Sequence, residues 1–411
     1  MKKAAAPHPK AKVTASLMEK FAVLKDPRIE RTKKHSLTDI LTISICGFIC
    51  GIDNWVELEE FGEIKEDWFK TFLELPNGIP SHDTFGRFYA ALDPEQFSRC
   101  FAQWVKAISE VTDGEVVAID GKTLRRSFDR ASSKAAIHMV SAWASKTGLV
   151  LGQVKTDEDS NEITAIPKLL EILQLEGCLV TIDAIGCQKE IVKHIIDKGA
   201  DYVISLKMNQ PALHAATVDF FTEARAERFE TVPHKYTETL EKEHGRLETR
   251  RYWVTGRLDW LRQRTDWEGL TSVGMVESER EVNGVTSKEV RYYISSLVGD
   301  DAEKFANAVR SHWSIENSLH WVLDMAFDED HSRVRKNNAA ENMAMLRHVA
   351  LNLLKGDTTV QKVGIKTRRK KAGWSNEYLA HLLGVKGLYD PDPPPSTPQA
   401  KRAAAQRRAN G

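Results

Sequence analysis

The chain has 411 residues, 42% of them apolar and 28% charged, with 58 basic and 58 acidic side chains. That length supports two to four domains with a sizeable core, and the composition excludes a wholly disordered or collagen-like chain. The longest apolar run, roughly Ile40 to Ile52, is too short to span a bilayer, and no apolar signal core follows the basic N-terminus. The expectation is therefore a cytoplasmic protein. Five cysteines, none in a C-x-x-C pair, read as packing residues in a reducing compartment. The zero net charge hides an uneven distribution. Residues 1–35 carry ten Lys/Arg against three Asp/Glu, and residues 355–411 carry twelve against four. Basic faces, rather than a basic total, are what a polyanion needs.

Residues 1–15 are rich in Ala, Pro and Lys and read as a disordered tail. Residues 16–110 carry helical periodicity: about Leu37 to Gly51, a helix after Asn54, one capped near Ser81, and one from about Pro94 to Ile108. They predict a small all-helical domain, a candidate for DNA binding without a sharp helix-turn-helix signature.

At Gly114 the texture changes, and residues 114–212 read as the first part of an α/β core. Glu115 to Asp120 is an apolar strand ending in an acid, followed by strands at Ile137–Trp143 and Leu149–Val154. A helix capped near Thr164, with Pro167 in its first turn, comes next. Cys178 to Asp183 is a second apolar strand ending in an acid. A helix at Gln188–Lys198 and a strand at Asp201–Leu206 complete the run. The order β-β-β-α-β-α-β, with three runs apolar enough to be buried on both faces, is that of a ribonuclease-H-like sheet. Residues 213–293 read as a β-rich insertion, and 294–356 as the rest of the core, with helices at about Glu303–Phe327 and Ala339–Leu354. Residues 357–411 read as a basic, largely disordered tail.

Two acids at the ends of neighbouring parallel strands emerge at the carboxyl edge, where open α/β sheets place ligands. Asp120 and Asp183 would repel unless a cation sat between them. Glu316 on the Glu303–Phe327 helix is the third candidate, with His312 and His320 four residues to either side. Asp324 is the alternative. A zinc reading of His312, Glu316 and His320 lacks an H-E-x-x-H motif or a cysteine partner.

These residues fall in motifs that resemble the DDE transposases of bacterial insertion sequences, in particular the H-repeat-associated branch. The motifs are Asp26-Pro-Arg28, Pro80-Ser-His-Asp-Thr-Phe85, Ala118-Ile-Asp-Gly-Lys-Thr123, Asn161-Glu-Ile-Thr-Ala-Ile-Pro167 and Thr181-Ile-Asp-Ala184. They continue with Ser205-Leu-Lys-Met-Asn-Gln210, His244-Gly-Arg-Leu-Glu-Thr-Arg250, His312-Trp-Ser-Ile-Glu-Asn317 and Leu319-His-Trp-Val-Leu-Asp324. The resemblance spans roughly residues 16–356. It implies DNA cleavage and strand transfer by two-metal phosphoryl transfer, with Asp120, Asp183 and Glu316 as the catalytic, metal-holding acids. Mg²⁺, with Mn²⁺ as a substitute, is the implied cofactor. DNA and a homodimer on paired ends are the implied partners.

In one respect the sequence departs from the pattern. Related enzymes carry Tyr, Arg and Lys at offsets −7, −4 and +7 from the Glu, where this chain has Val309, His312 and Leu323. Lys122, Lys207, Arg246, Arg250 and His312 are the candidate DNA contacts, with surface ion pairing as the competing role of the basic ones. Two other readings share the motifs: a nuclease that hydrolyses without joining, and a catalytically silent DNA-binding descendant.

Overall fold

The computed structural model describes residues 17–108, 114–128, 135–157, 161–243, 246–360 and 362–384. The expected N-terminal tail and the last 27 residues lie outside them.

The N-terminal region is helical: α1 (Leu37–Cys50), α2 (Trp55–Ile64), α3 (His82–Ala91) and α4 (Pro94–Ile108). Helix α1 starts at a capping box, in which the Ser36 side chain accepts from the Asp39 amide at 2.9 Å, and stops at Gly51 in the left-handed region. Its sequence is apolar on all sides, which fits a central helix. Residues Asp39 to Ile49 are buried. No single helix among the described residues is long and apolar enough to cross a membrane.

A nine-stranded mixed sheet of order β3-β2-β1-β4-β5-β9-β8-β7-β6 forms the centre. Its first five strands are β1 (Val116–Thr123), β2 (His138–Ala144), β3 (Leu149–Lys155), β4 (Leu179–Ile182) and β5 (Asp201–Leu206). Strand β2 pairs antiparallel with β1 and with β3, whereas β4 lies parallel to β1 and to β5. Helices α5 (Glu162–Ile172) and α6 (Lys189–Asp197) connect these strands, and α7 (Pro211–Ala226) follows them. The cap of α5 is Asn161, whose side chain accepts from the Ile163 amide at 3.0 Å. Thr164 and Pro167 therefore fall inside the helix rather than at its start.

The expected β-rich insertion starts as helix α7 and becomes strand only at β6 (Lys235–Glu243). It continues as β7 (Arg246–Thr255), β8 (Ser272–Val282) and β9 (Val285–Ser295). These four strands extend the central sheet, because β9 pairs antiparallel with β5 from Val203↔Ser295 to Leu206↔Tyr292.

One long helical rod then crosses the sheet: α8 (Ala302–Ile315), a π-helical turn at Glu316–His320, and α9 (Trp321–Phe327). Strand alternation separates the two sheet faces. Val116, Leu179 and Val203 cluster with Phe305, Ala306 and Val309 of α8. Val117, Val180 and Tyr202 belong to the other cluster, with Leu169 of α5 and Ile195 of α6.

Helix α10 (Ala339–Gly356) packs against α1, α3, α4 and β3. Its buried Asn342 donates to the carbonyls of Tyr89 at 2.8 Å and Leu92 at 3.0 Å, tying the N-terminal helices to the C-terminal part of the chain. The expectation of a largely disordered tail is corrected over residues 362–384. Helices α11 (Ile365–Trp374) and α12 (Asn376–Leu383) form there, and α11 packs on α1, α9 and α10.

Candidate active site under the long helix

The last parallel pair between β1 and β4 is Ile119↔Ile182, so Asp120 and Asp183 follow side by side. By alternation both share the face of Val116 and Leu179, the face that α8 covers. Strand β1 does not end at Asp120, as the sequence suggested. It continues to Thr123 along β2, and only its pairing with β4 stops. Asp183 has two jobs. One carboxylate oxygen accepts from the Ile185 amide at 3.0 Å and caps a 3₁₀ turn at Ala184–Gly186, which leaves the other oxygen for the cavity.

Glu316 opens the π-helical turn. Buried Ile315 and Leu319 anchor the helix on either side of it, while its own side chain is 66% exposed. Turns of this kind accommodate an extra residue in a helix and are common at functional positions. His320 Nδ1 lies 3.6 Å from both Asp120 Oδ2 and Glu316 Oε2. One ligand atom from each of Asp120, Glu316 and His320 falls within 4.8 Å of the others. Asp183 completes the group from across a cavity of about 320 Å³ that Asp120, Asp183 and Glu316 line together.

Crowded carboxylates raise one another's proton affinity. Burial, followed by the charges of Glu162, Asp183 and Glu316, pushes the Asp120 carboxyl up to about 7. Burial and Glu162 push Asp183 upward too, and Lys207 across the cavity partly offsets this.

Glu162 is thus a fourth acid at the site, one that the sequence reading did not single out. Its Oε1 lies 2.7 Å from His138 Nε2. The pair sits over Gly121, where a Cβ would meet Glu162 Oε1 at 2.2 Å and His138 Nε2 at 2.3 Å. The available signal was its place in the Asn161–Pro167 motif.

The five candidate DNA contacts divide. Lys122 is turned inward. Its Nζ is bonded to Asp324 and lies 2.8 Å from Glu329 and 3.6 Å from Asp330, with the side chain 13% exposed. Arg250 is likewise held by Glu241 at 3.2 Å and Glu248 at 2.5 Å. Carboxylates take up both cations, from about 200 residues further on for Lys122 and from its own hairpin for Arg250. Asp324, the alternative third acid, is one of those partners and lines a neighbouring cleft. Arg246 opens β7, and its side chain lies outside the described residues. Lys207 and His312 do line the cavity. Burial pushes His312 down to about 4, so it is a neutral imidazole, with Nδ1 3.2 Å from Thr181 Oγ1. Spacing alone had grouped it with a zinc site, but that bond directs it away from the Asp120–Glu316–His320 cluster.

Comparison with known proteins gives the family. The Transposase DDE domain family matches residues 112–353, and the DDE_Tnp_1-associated family matches residues 18–105. The chain is 43% identical over 377 residues to Putative transposase YncI of Escherichia coli O157:H7, covering 90% of this chain and 94% of that one. It is 41% identical over 377 residues to H repeat-associated putative transposase YhhI of Escherichia coli K12, covering 90% and 98%. A cryo-EM structure of a piggyBac transposase synaptic complex with hairpin DNA aligns over 97% of this chain and 86% of that one. Its identity is 10% and its TM-score 0.35, too low to carry an argument about the fold. The chain belongs to the DDE transposase family. Within that family it falls in the H-repeat-associated branch of bacterial insertion sequences.

Proposed function

We propose that this transposase cuts DNA at the ends of its own mobile element and joins the freed ends to target DNA. In this reading β1–β5 and the long helix form a ribonuclease-H-like core, and a homodimer acts on paired ends. One observation carries it: three acids from separated segments line one cavity, with the Asp120 carboxyl held at about 7. Such a cluster is short of positive charge.

The donor set fits a divalent cation. Asp120, Asp183 and Glu316 offer carboxylate oxygens, the ligands that Mg²⁺ and Mn²⁺ prefer, and they are the residues that would hold the metal. Bound there, a metal pair supplies a more acidic water and neutralises charge at the scissile phosphate in an in-line displacement. The protein supplies the positioning. Asp120 and Asp183 are fixed by strand register, and Glu316 by the packing of Ile315 and Leu319. Lys207 on the cavity wall presents a point charge to phosphate. Neutral His312 holds the helix to Thr181 without bringing charge to the acids.

The test is a labelled duplex ending in the element's inverted repeat, incubated with Mg²⁺ and a target plasmid. Expected are a nick at the element end and a joined product, both lost in Asp183→Asn and in Glu316→Gln. Nicking that survives Asp183→Asn overturns the site. Nicking without joining leaves a nuclease instead.

A further inference from the structure

Between residues 358 and 376 the chain carries six Lys/Arg and no Asp/Glu, and helix α11 occupies the middle of this stretch. The stretch lies beyond both family matches, which end at residue 353. Its cations have two different roles. Arg368 and Arg369 point inward and take backbone carbonyls. Arg368 donates to Leu354 at 2.9 Å, Asp357 at 2.9 Å and Val363 at 3.0 Å. Arg369 donates to Phe48 at 3.0 Å and to Ala326, and lies 3.0 Å from Asp53 Oδ1. Phe48, Ala326 and Leu354 sit near the C-terminal ends of α1, α9 and α10, where carbonyls lack helical partners. Arg369 thereby bolts α11 to the end of the helix that carries Glu316, and Arg368 ties it to the end of α10.

The lysines go the other way. Lys366 and Lys370 are exposed, and Trp374 is 78% exposed. At spacings of four they form one stripe on the outer side of α11. Among the described residues neither lysine has a carboxylate within 4.0 Å, whereas Lys122, Arg250 and Arg251 are each held by two or more acids. A rigid helix with two unneutralised cations one turn apart, beside an exposed indole, offers a polyanion two backbone contacts.

We propose that the Lys366–Lys370–Trp374 stripe is a second DNA-contact site, gripping duplex backbone outside the acid-lined cavity. It rests on the transposase reading only in taking DNA as the ligand. From Glu316 to Ala326 the helix advances about 15 Å, less than one turn of duplex at about 34 Å. The grip on backbone is thus referenced to the acid site by a stiff rod.

The test measures binding of a random-sequence 30-base-pair duplex to the full chain in EDTA, as a function of salt. Each lost phosphate contact lowers the slope of log K against log salt by about 0.9, so Lys366→Ala/Lys370→Ala should lower it by about 1.8. Affinity near 0.1 M salt should fall on the order of 10- to 100-fold. Both side chains are exposed, so the thermal midpoint should not move. An unchanged slope overturns the proposal, as does a loss that tracks a lowered midpoint. Lys189→Ala/Lys193→Ala, which removes two exposed lysines already paired with Asp266 and Asp197, should bind duplex like the parent. If the catalytic reading fails but the lysine effect stands, the stripe still holds DNA; if the parent binds no duplex, both fall.

Discussion

Replacing Lys122 with methionine removes the cation from a buried cluster and keeps most of its apolar stem. Glu329 is 3% exposed and, among the described residues, keeps Arg347, 3.5 Å away, as its one close cation. In the parent, burial pushes the Glu329 carboxyl up, but Lys122 and Arg347 outweigh it and leave it lowered. Burial pushes the Lys122 amine down, yet Glu329 and Asp324 leave it raised. Their pairing thus supports the fold from above the acid range up to alkaline pH. Stranding one member of a buried pair costs about 3–5 kcal/mol. Asp324, with its side chain 30% exposed, can turn to water, so the lower end, about 3 kcal/mol, is expected. With a urea slope near 3 kcal/mol/M, that moves the unfolding midpoint down by about 1 M. Tryptophan fluorescence reads it directly. The deficit should narrow as pH falls, because without Lys122 burial favours the protonated carboxyl. A loss under about 1 kcal/mol, or weaker DNA binding at an unchanged midpoint, would refute the inward role and return Lys122 to the DNA surface.

Further outcomes follow from the same geometry. Asp120 holds a proton in the folded state up to about 7 but in the unfolded chain only to its ordinary value of 3.8, so metal-free protein should lose stability as pH rises between those values. Thermal midpoints in EDTA at pH 5 and 7.5 should show the drop. Asp120→Asn should flatten it, and Mg²⁺ should restore the parent at pH 7.5; identical pH profiles for parent and variant would count against the crowded-acid account. Arg369→Ala should cost about 3 kcal/mol or more, since it strands Asp53 and uncaps the carbonyls of Phe48 and Ala326. A urea midpoint within error of the parent would contradict this.

The acids were legible because each follows a run of apolar residues that can only be a buried strand, and because Glu316 interrupts a helix whose other residues pack. What was illegible depends on chain segments far apart. Lys122 meets Asp324 across 202 residues, and nothing near Lys122 announces that partner. The join of β5 to β9 pairs Val203 with Ser295, also far apart in the chain, so four strands that look like a detachable insertion extend the main sheet. Residues 362–384 were misread because their basic composition suggests a solvated tail. The decisive fact, that two of the arginines have carbonyls to bind, resides in other helices. Glu162 was overlooked because its partner, His138, lies 24 residues away on β2, and nothing local announces that pairing.

The wide turn at Glu316–His320 also changes how this helix compares with its relatives. One additional residue is looped out there, so everything beyond it is turned by about 100° from where steady winding would put it. A partner expected seven places after the glutamate is then found by counting eight, which lands on Asp324 instead of Leu323. That position carries an acid, and the amine bonded to it comes from Lys122 on the first strand of the sheet. Superposition in space, rather than numbering from Glu316, is the way to match the far half of this rod to other transposases.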